Sequence, residues 1–486
     1  MKTLILIFKT GLVALGVLAM PVGSLLAEND SAISAPIVAE KNLADLAHDA
    51  ISEEAAVSAA AINALRDAGP EGLQALFDTH AELVKKNAAT GKMIADPEWQ
   101  RFRAAADTIG KQRDDYASQL YWFTDFEKAK AAAKASGRPI LSLRLLGKLD
   151  EEFSCANSRF FRTILYANAG VSRHLREHFV LHWESVRPVP KVSIDFGDGR
   201  VMSCTVTGNS IHYILDADGH PFDALPGLYG PAAFLRGLTA AEEIITRIAN
   251  QDAESRKKAL LEFHRVSFES TLAQWRGDLA TPGIAATPRT TGNFTQRVAN
   301  AAPPTALRAQ PLAISKMGRE IPLVRAITSQ HGNTDESVAT GLAFRPAPTR
   351  ETLSAATDDA AWKKIAQLHA DDARLDERSR ALMVAKNPSA LDASRVAIMK
   401  RIVENPLLRV VRTLERSTAE DTVRNEYLFH TTIHQWFLDG SAPADLKELN
   451  ARVYAELFLT PDSDPWLGLK PADVYSALQD DGVPTQ

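Results

Sequence analysis

Arg138-Pro139-Ile140-Leu141-Ser142-Leu143-Arg144-Leu145-Leu146-Gly147 leads into Lys148-Leu149-Asp150-Glu151-Glu152-Phe153, then into Ser154-Cys155-Ala156-Asn157-Ser158-Arg159-Phe160-Phe161. A near-continuous apolar run opened by proline and closed by glycine reads as a buried strand. The acidic residues after it read as a loop, and the last block as the start of a helix with a cysteine at its head. Backbone N–H groups at that position favour a thiolate. The stretch therefore predicts an α/β unit with a thiol at the end of its central strand.

Elements on either side agree with that. Upstream, Thr124-Asp125-Phe126-Glu127 has the form of a capping box, and the helix it opens ends at Gly137. Downstream, helical spacing runs through about Leu165 and from Val171 to His178. Phe179 to Glu184 reads as a second strand, ended by Pro188 and Pro190. Val192 to Phe196 and Val201 to Val206, joined by Gly197-Asp198-Gly199, read as a hairpin. Ile211 to Leu215 is a further strand closed by the turn Asp216-Ala217-Asp218-Gly219, and Gly230-Pro231 opens a helix through about Ala249. Alternation of this kind predicts α/β architecture.

The 486 residues exceed what one hydrophobic core usually holds, so several domains are expected. A net charge of −5 from 55 basic and 60 acidic residues, without a basic stripe, argues against nucleic acid as a partner. Lys2, Lys9, an apolar core from Thr10 to Met20 and Pro21 predict an export signal over residues 1–27. The expected location is periplasmic or secreted, with no membrane attachment after cleavage. Two cysteines, Cys155 and Cys204, exclude a disulfide-stapled scaffold.

The remaining organisation is helical. Residues 28–120 read as a helical domain: Ser58 to Arg66 and Glu71 to Thr79 form one helical hairpin, and Asp96-Pro97 starts a helix running to about Tyr121. The α/β domain is expected over 121–250, a helix over 251–280 and a linker rich in Ala, Thr, Pro and Gly over 281–350. A helical C-terminal domain covers 351–486, with breaks at Asn387-Pro388 and Asn405-Pro406 and a final helical turn near Asp473 to Leu478.

From Trp122 to about Leu238 the chain resembles a thioredoxin-like domain of the branch found in exported bacterial proteins. The resemblance is carried by Trp122, Asp125, Ala129, Ala133 and Arg138-Pro139, by Cys155, by Val171, Leu175 and Phe179-Val180, by Leu215 to Gly219, and by Gly227, Phe234 and Leu238. It implies that Cys155 stands at the attacking position, and that the residue facing it precedes the strand Ile211 to Leu215. The sequence departs from the family twice. Cys-x-x-Cys is here Cys155-Ala156-Asn157-Ser158, and the position of the facing proline falls on Ser210, beside Asn209. A lone thiolate still attacks a disulfide, but an external thiol must then release the mixed disulfide.

Two readings follow. In one, Cys155 is a nucleophile towards a protein or small-molecule thiol, Arg159 and the helix N-terminus favour its thiolate against Asp150, Glu151 and Glu152, and Ser158, Asn209 and Ser210 line the contact. In the other, Cys155 is a small buried hydrophobe and the fold is a non-catalytic scaffold or peptide-binding module. Cys204 is either a distal partner for Cys155 or an inert thiol.

Neither a cofactor nor a metal is expected. His174, His178 and His182 are spaced by four, but the strand from Phe179 breaks their helix, leaving surface histidines. Glu426, His430 and His434 repeat the spacing without the His-Glu-x-x-His order, among aromatics that read as packing. His369, Asp371 and Asp372 join a site only through a tertiary contact. The sequence names no oligomeric state, and it carries no phosphate loop or nucleophile elbow.

Overall fold

The computed structural model describes residues 42–88, 96–284, 349–386 and 406–467. The expected export signal, most of the linker, the Asn387-Pro388 break and the final helical turn lie outside them, as does Asn405 of the second break, whose Pro406 opens a helix. Among the described residues no helix is long and apolar enough to cross a membrane.

Five helices come first: α1 (Leu43–Asp49), α2 (Ala55–Asp67), α3 (Pro70–Thr79), α4 (Ala81–Ala88) and α5 (Pro97–Gly110). Side-chain caps and first-turn prolines explain the starts of α1, α3 and α5. Asn42 accepts from the Asp45 N–H, Asp96 from the Glu98 N–H, and Pro70 and Pro97 occupy first-turn positions whose missing N–H costs nothing. Leu65, Leu76, Phe77, Trp99 and Phe102 close a core of their own. Helix α5 stops at Gly110, short of the expected Tyr121. Lys111 and Asp114 take left-handed backbone, and Asp115 turns inward to accept from the Leu120 N–H and the Ser118 hydroxyl. A carboxylate that satisfies two donors outside a helix competes with continuing it.

The central layer is a five-stranded mixed sheet in the order β1-β3-β2-β6-β7. Its strands are β1 (Trp122–Phe123), β2 (Ile140–Leu146), β3 (Val180–Arg187), β6 (Ser210–Leu215) and β7 (Pro221–Pro226). β1, β3 and β2 run parallel, while β6 and β7 run antiparallel to their neighbours. β2 is buried along its whole length because it sits between β3 and β6, which is why its sequence is apolar without alternation. Its one charge, Arg144, pairs with Glu184 directly opposite on β3. Gly147 ends the strand at φ 73°, where a Cβ would also press on Val189. β4 (Lys191–Asp195) and β5 (Val201–Thr205) form the expected hairpin, a separate two-stranded sheet. The last strand, β7, was not expected: proline at both of its ends hides a strand that occupies the edge of the sheet, where proline is tolerated.

Helices α6 (Phe126–Ser136), α7 (Ala156–Phe160), α8 (Ala169–His178), α9 (Pro231–Ile248) and α10 (Ala253–Ala280) accompany the sheet. α7 continues into a π-helical turn, Phe161–Leu165. The C-terminal part holds α11 (Arg350–Ala355), α12 (Asp359–Leu368), α13 (Glu377–Lys386), α14 (Pro406–Arg424), a π turn Asn425–His430, α15 (Thr431–Leu438), α16 (Leu446–Arg452) and a π turn Val453–Leu457. Part of this region packs directly on the sheet, and part forms a helical core with α10. Ile433, Leu449, Tyr454 and Phe458 belong to one apolar cluster with Leu143, Tyr213, Leu225 and Phe234. A second cluster stacks Trp275 of α10 on Tyr427 and sets it beside Trp362 of α12.

Candidate functional site

Cys155 is the N-cap of α7, at the end of the turn that follows β2. Its amide donates to the Leu146 carbonyl (3.2 Å), which ties the cap to the strand. The Ser158 N–H donates to Cys155 Sγ at 3.4 Å, and the Ser158 hydroxyl donates to the Cys155 carbonyl at 2.9 Å. The sulfur thus does the work that an Asp or Ser oxygen does at other helix starts. Across from it lies the segment before β6. The Ala156 N–H donates to the Thr207 carbonyl (3.0 Å), and Cys155 Sγ makes a long contact with the Asn209 carbonyl (3.9 Å). The structure therefore brings Cys155, Ser158 and Asn209 together, with Ser210 next along the chain.

The thiol has no solvent exposure, and Ser158 and Ser210 have none either. The cover comes from the far end of the chain. The Tyr454 hydroxyl donates to the Asn209 carbonyl at 3.2 Å, and Asn209 Nδ2 donates to Thr460 Oγ1 at 3.0 Å. Arg187, at the end of β3, donates to the Thr460 carbonyl (2.7 Å) and the Asp464 carbonyl (3.1 Å), which fixes the segment. Burial raises the Tyr454 phenol well above its usual range, so it stays a neutral donor. The Ser210 hydroxyl has no hydrogen-bond partner among the described residues.

The charges around the loop are arranged differently from the sequence expectation. Asp150 pairs with Lys111 (3.8 Å), Glu151 with Lys148 (3.3 Å), and Glu152 with Arg113 (3.3 Å) and Lys386 (3.6 Å). Arg159 donates to Thr205 Oγ1 at 2.9 Å, and Thr205 in turn donates to the Ser154 carbonyl. Cys204 lies half-buried on β5 opposite Val192, and both cysteines are free thiols.

Among the described residues, three groups of side chains have metal-ligand spacing. His174 and His178 stack at 4.4 Å on α8 and both meet Glu242 of α9, at 2.5 and 2.9 Å, on a half-exposed surface. His182 is not with them. It is buried on β3 against Ser142 Oγ (2.9 Å), and burial, reinforced by Arg144, pushes it down to about 3. Asp216, Asp218 and His220 share an exposed turn. The third group, Asp223, His264 and His434, is buried. Sequence reading singled out His430 and His434 but missed Asp223 and His264, because the signal for those two is tertiary.

His369 joins none of the three groups: its Nε2 lies 2.8 Å from Asp278 Oδ2, which also accepts from the Tyr427 hydroxyl at 2.6 Å. The Asp278 hydrogen bond is the main reason the His369 pKa is raised. Compared with protein-family models, with curated proteins and with solved structures, the chain has no match.

Proposed function

We propose that this chain is an exported, thioredoxin-like protein whose thiol position serves architecture rather than exchange, in an interaction protein that binds its partner outside the covered face. The observation that carries this reading is the complete burial of Cys155, with Tyr454 and Thr460 of its own chain bonded to the Asn209 that faces it. A nucleophile needs access and thiolate character, whereas a buried structural cysteine is inert. The resemblance itself is supported by placement. The cysteine heads the helix after the central strand, and the residues before the antiparallel strand β6 face it. Lys2, Lys9, the apolar core from Thr10 to Met20 and Pro21 support the export part of the reading. Sequencing the amino terminus of protein recovered from the periplasm or medium tests it.

A second reading has one feature in its favour. The Ser158 N–H on Sγ and the unpartnered Ser210 hydroxyl leave polar capacity beside the thiol. If the cover opens, the Cys155 thiolate attacks a partner disulfide, one partner sulfur departs as thiolate, and an external thiol later reduces the mixed disulfide. Alkylation of the full chain in a Cys204→Ser background separates the two. The architectural reading expects labelling that tracks global unfolding in urea. Rapid labelling of the native protein, at a rate indifferent to stability, overturns it in favour of exchange.

A further inference from the structure

We propose that Asp223, His264 and His434 bind one divalent transition-metal ion of the zinc type, with His430 positioning the carboxylate. The three donors come from three separated elements, β7, α10 and α15, and their ligand atoms all lie within 4.8 Å of one another. His264 Nδ1 faces His434 Nδ1 at 2.9 Å, and His434 Nδ1 is 3.9 Å from Asp223 Oδ1. Ligand atoms on a tetrahedral zinc, with bonds of about 2.0–2.2 Å, stand roughly 3.3 Å apart. The observed edges bracket that value. Two imidazole Nδ1 atoms at 2.9 Å make a hydrogen bond only if one ring carries its proton there and the other does not. A cation accepts both lone pairs at once and neutralises the carboxylate beside them.

The surroundings are those of a held site. Asp223, His264 and His434 are each 2 % exposed. The Asp223 carboxylate accepts from the Ala224 N–H (2.8 Å) and meets His430 Nε2 (2.9 Å), so its orientation is set before any ion arrives. Phe437 stacks on the His264 ring at 4.4 Å, and Phe263 stands edge-on to His264 and His434. His430 ends the π turn Asn425–His430, a widened helical turn of the kind often found at functional sites. With ligands out of solvent and drawn from one strand and two helices, the ion fastens β7 to α10 and α15, and three protein ligands leave its fourth position to a small ligand such as water.

The test uses the full chain, purified without metal-affinity resin. Elemental analysis is expected to find one zinc per chain. After chelator stripping, cobalt(II) is expected to give visible absorption that saturates at one equivalent and is lost on adding zinc. His434→Asn and Asp223→Asn are expected to remove the cobalt band. His430→Gln is expected to keep it, with affinity weakened about 10- to 100-fold. If the ligand variants fail to fold, the titration of stripped wild-type protein decides alone. The proposal is overturned if that protein, still folded, takes up neither cobalt nor zinc. It is equally overturned if binding disappears in His174→Ala/His178→Ala, which would place the ion at the surface group.

Discussion

The thiol region and the histidine cluster are both buried polar sites at which the C-terminal helices meet the sheet, yet they are built in opposite ways. Around Cys155 the local sequence supplies nearly everything: strand, turn, cap and the serine that donates to sulfur lie within thirteen residues of one another, from Leu146 to Ser158. The rest of the chain adds the facing segment at Thr207 and Asn209, and the cover beyond it. Around Asp223 no local segment suffices, because its partner His430 is 207 residues away and His264 meets His434 across 170. A locally built site survives as a shape even when its chemistry lapses. A site assembled from distant segments costs chain entropy and buried charge, and it persists only where its members satisfy one another.

Breaking the distant cluster has the largest expected effect. Asp223→Ala leaves the His430 and His434 rings buried without their carboxylate. Burial opposes charge on His430, and Asp223 outweighs it to raise that histidine. The expected loss is about 3–5 kcal/mol in urea denaturation. A loss below about 1 kcal/mol would mean that the cluster is not stabilised as a unit.

Next comes Gly208→Ala, on the thiol side. A Cβ there would lie 2.8 Å from Asn157 Oδ1 and 3.2 Å from the Ala156 Cβ, so the buried Asn157 side chain must turn or the first turn of α7 give way. The expected cost is about 1–3 kcal/mol. Unchanged thermal stability would show that the segment before β6 is looser than its contacts indicate.

Acid sharpens the comparison through His212, buried on β6 and hydrogen-bonded to Tyr166 at 2.7 Å. Burial pushes it down to about 3. The unfolded chain, with an ordinary histidine near 6.5, therefore takes up a proton that the native state refuses. Its contribution is intact above about 6.5 and is lost as pH falls towards 3. Between pH 7.5 and 5.5, wild type is expected to lose about 1.4 kcal/mol more than His212→Gln. The difference between the proteins is the quantity to read, because Asp107, raised by burial to about 6, works in the opposite sense in both.

The smallest effect belongs to the cover. Tyr454→Phe removes the hydroxyl that donates to the Asn209 carbonyl, and is expected to cost about 0.5–1.5 kcal/mol. If local opening exposes Cys155, its alkylation should quicken by up to about tenfold for 1.4 kcal/mol. An unchanged labelling rate would show that the thiol is reached only through global unfolding.

Sequence made β2 plain because seven buried residues in a row leave no periodicity to misread, and it made the α6 and α9 starts plain through Asp125 and Pro231. Cys155, Ser158 and Asn209 were found as neighbours because a strand, a cap and a second strand fix their separation. β7 was lost because Pro221 and Pro226 mask a strand at the sheet's edge, and Asp223 was lost with it. His264 sits mid-helix among charged residues of α10, and nothing local distinguishes a histidine that turns inward to a partner 170 residues on. Tyr454 and Thr460 were equally silent about the thiol they cover.

That cover also sets a clock. Tyr454 is synthesised 245 residues after Asn209, the carbonyl it closes upon. At about 5–20 residues per second, the α/β segment exists for roughly 12–50 s without its lid. During that interval Cys155 is open to an oxidant, a disulfide or a chaperone that the closed fold holds off. Arrested nascent chains that end before Tyr454 should label readily with an alkylating agent, and completed ones should not.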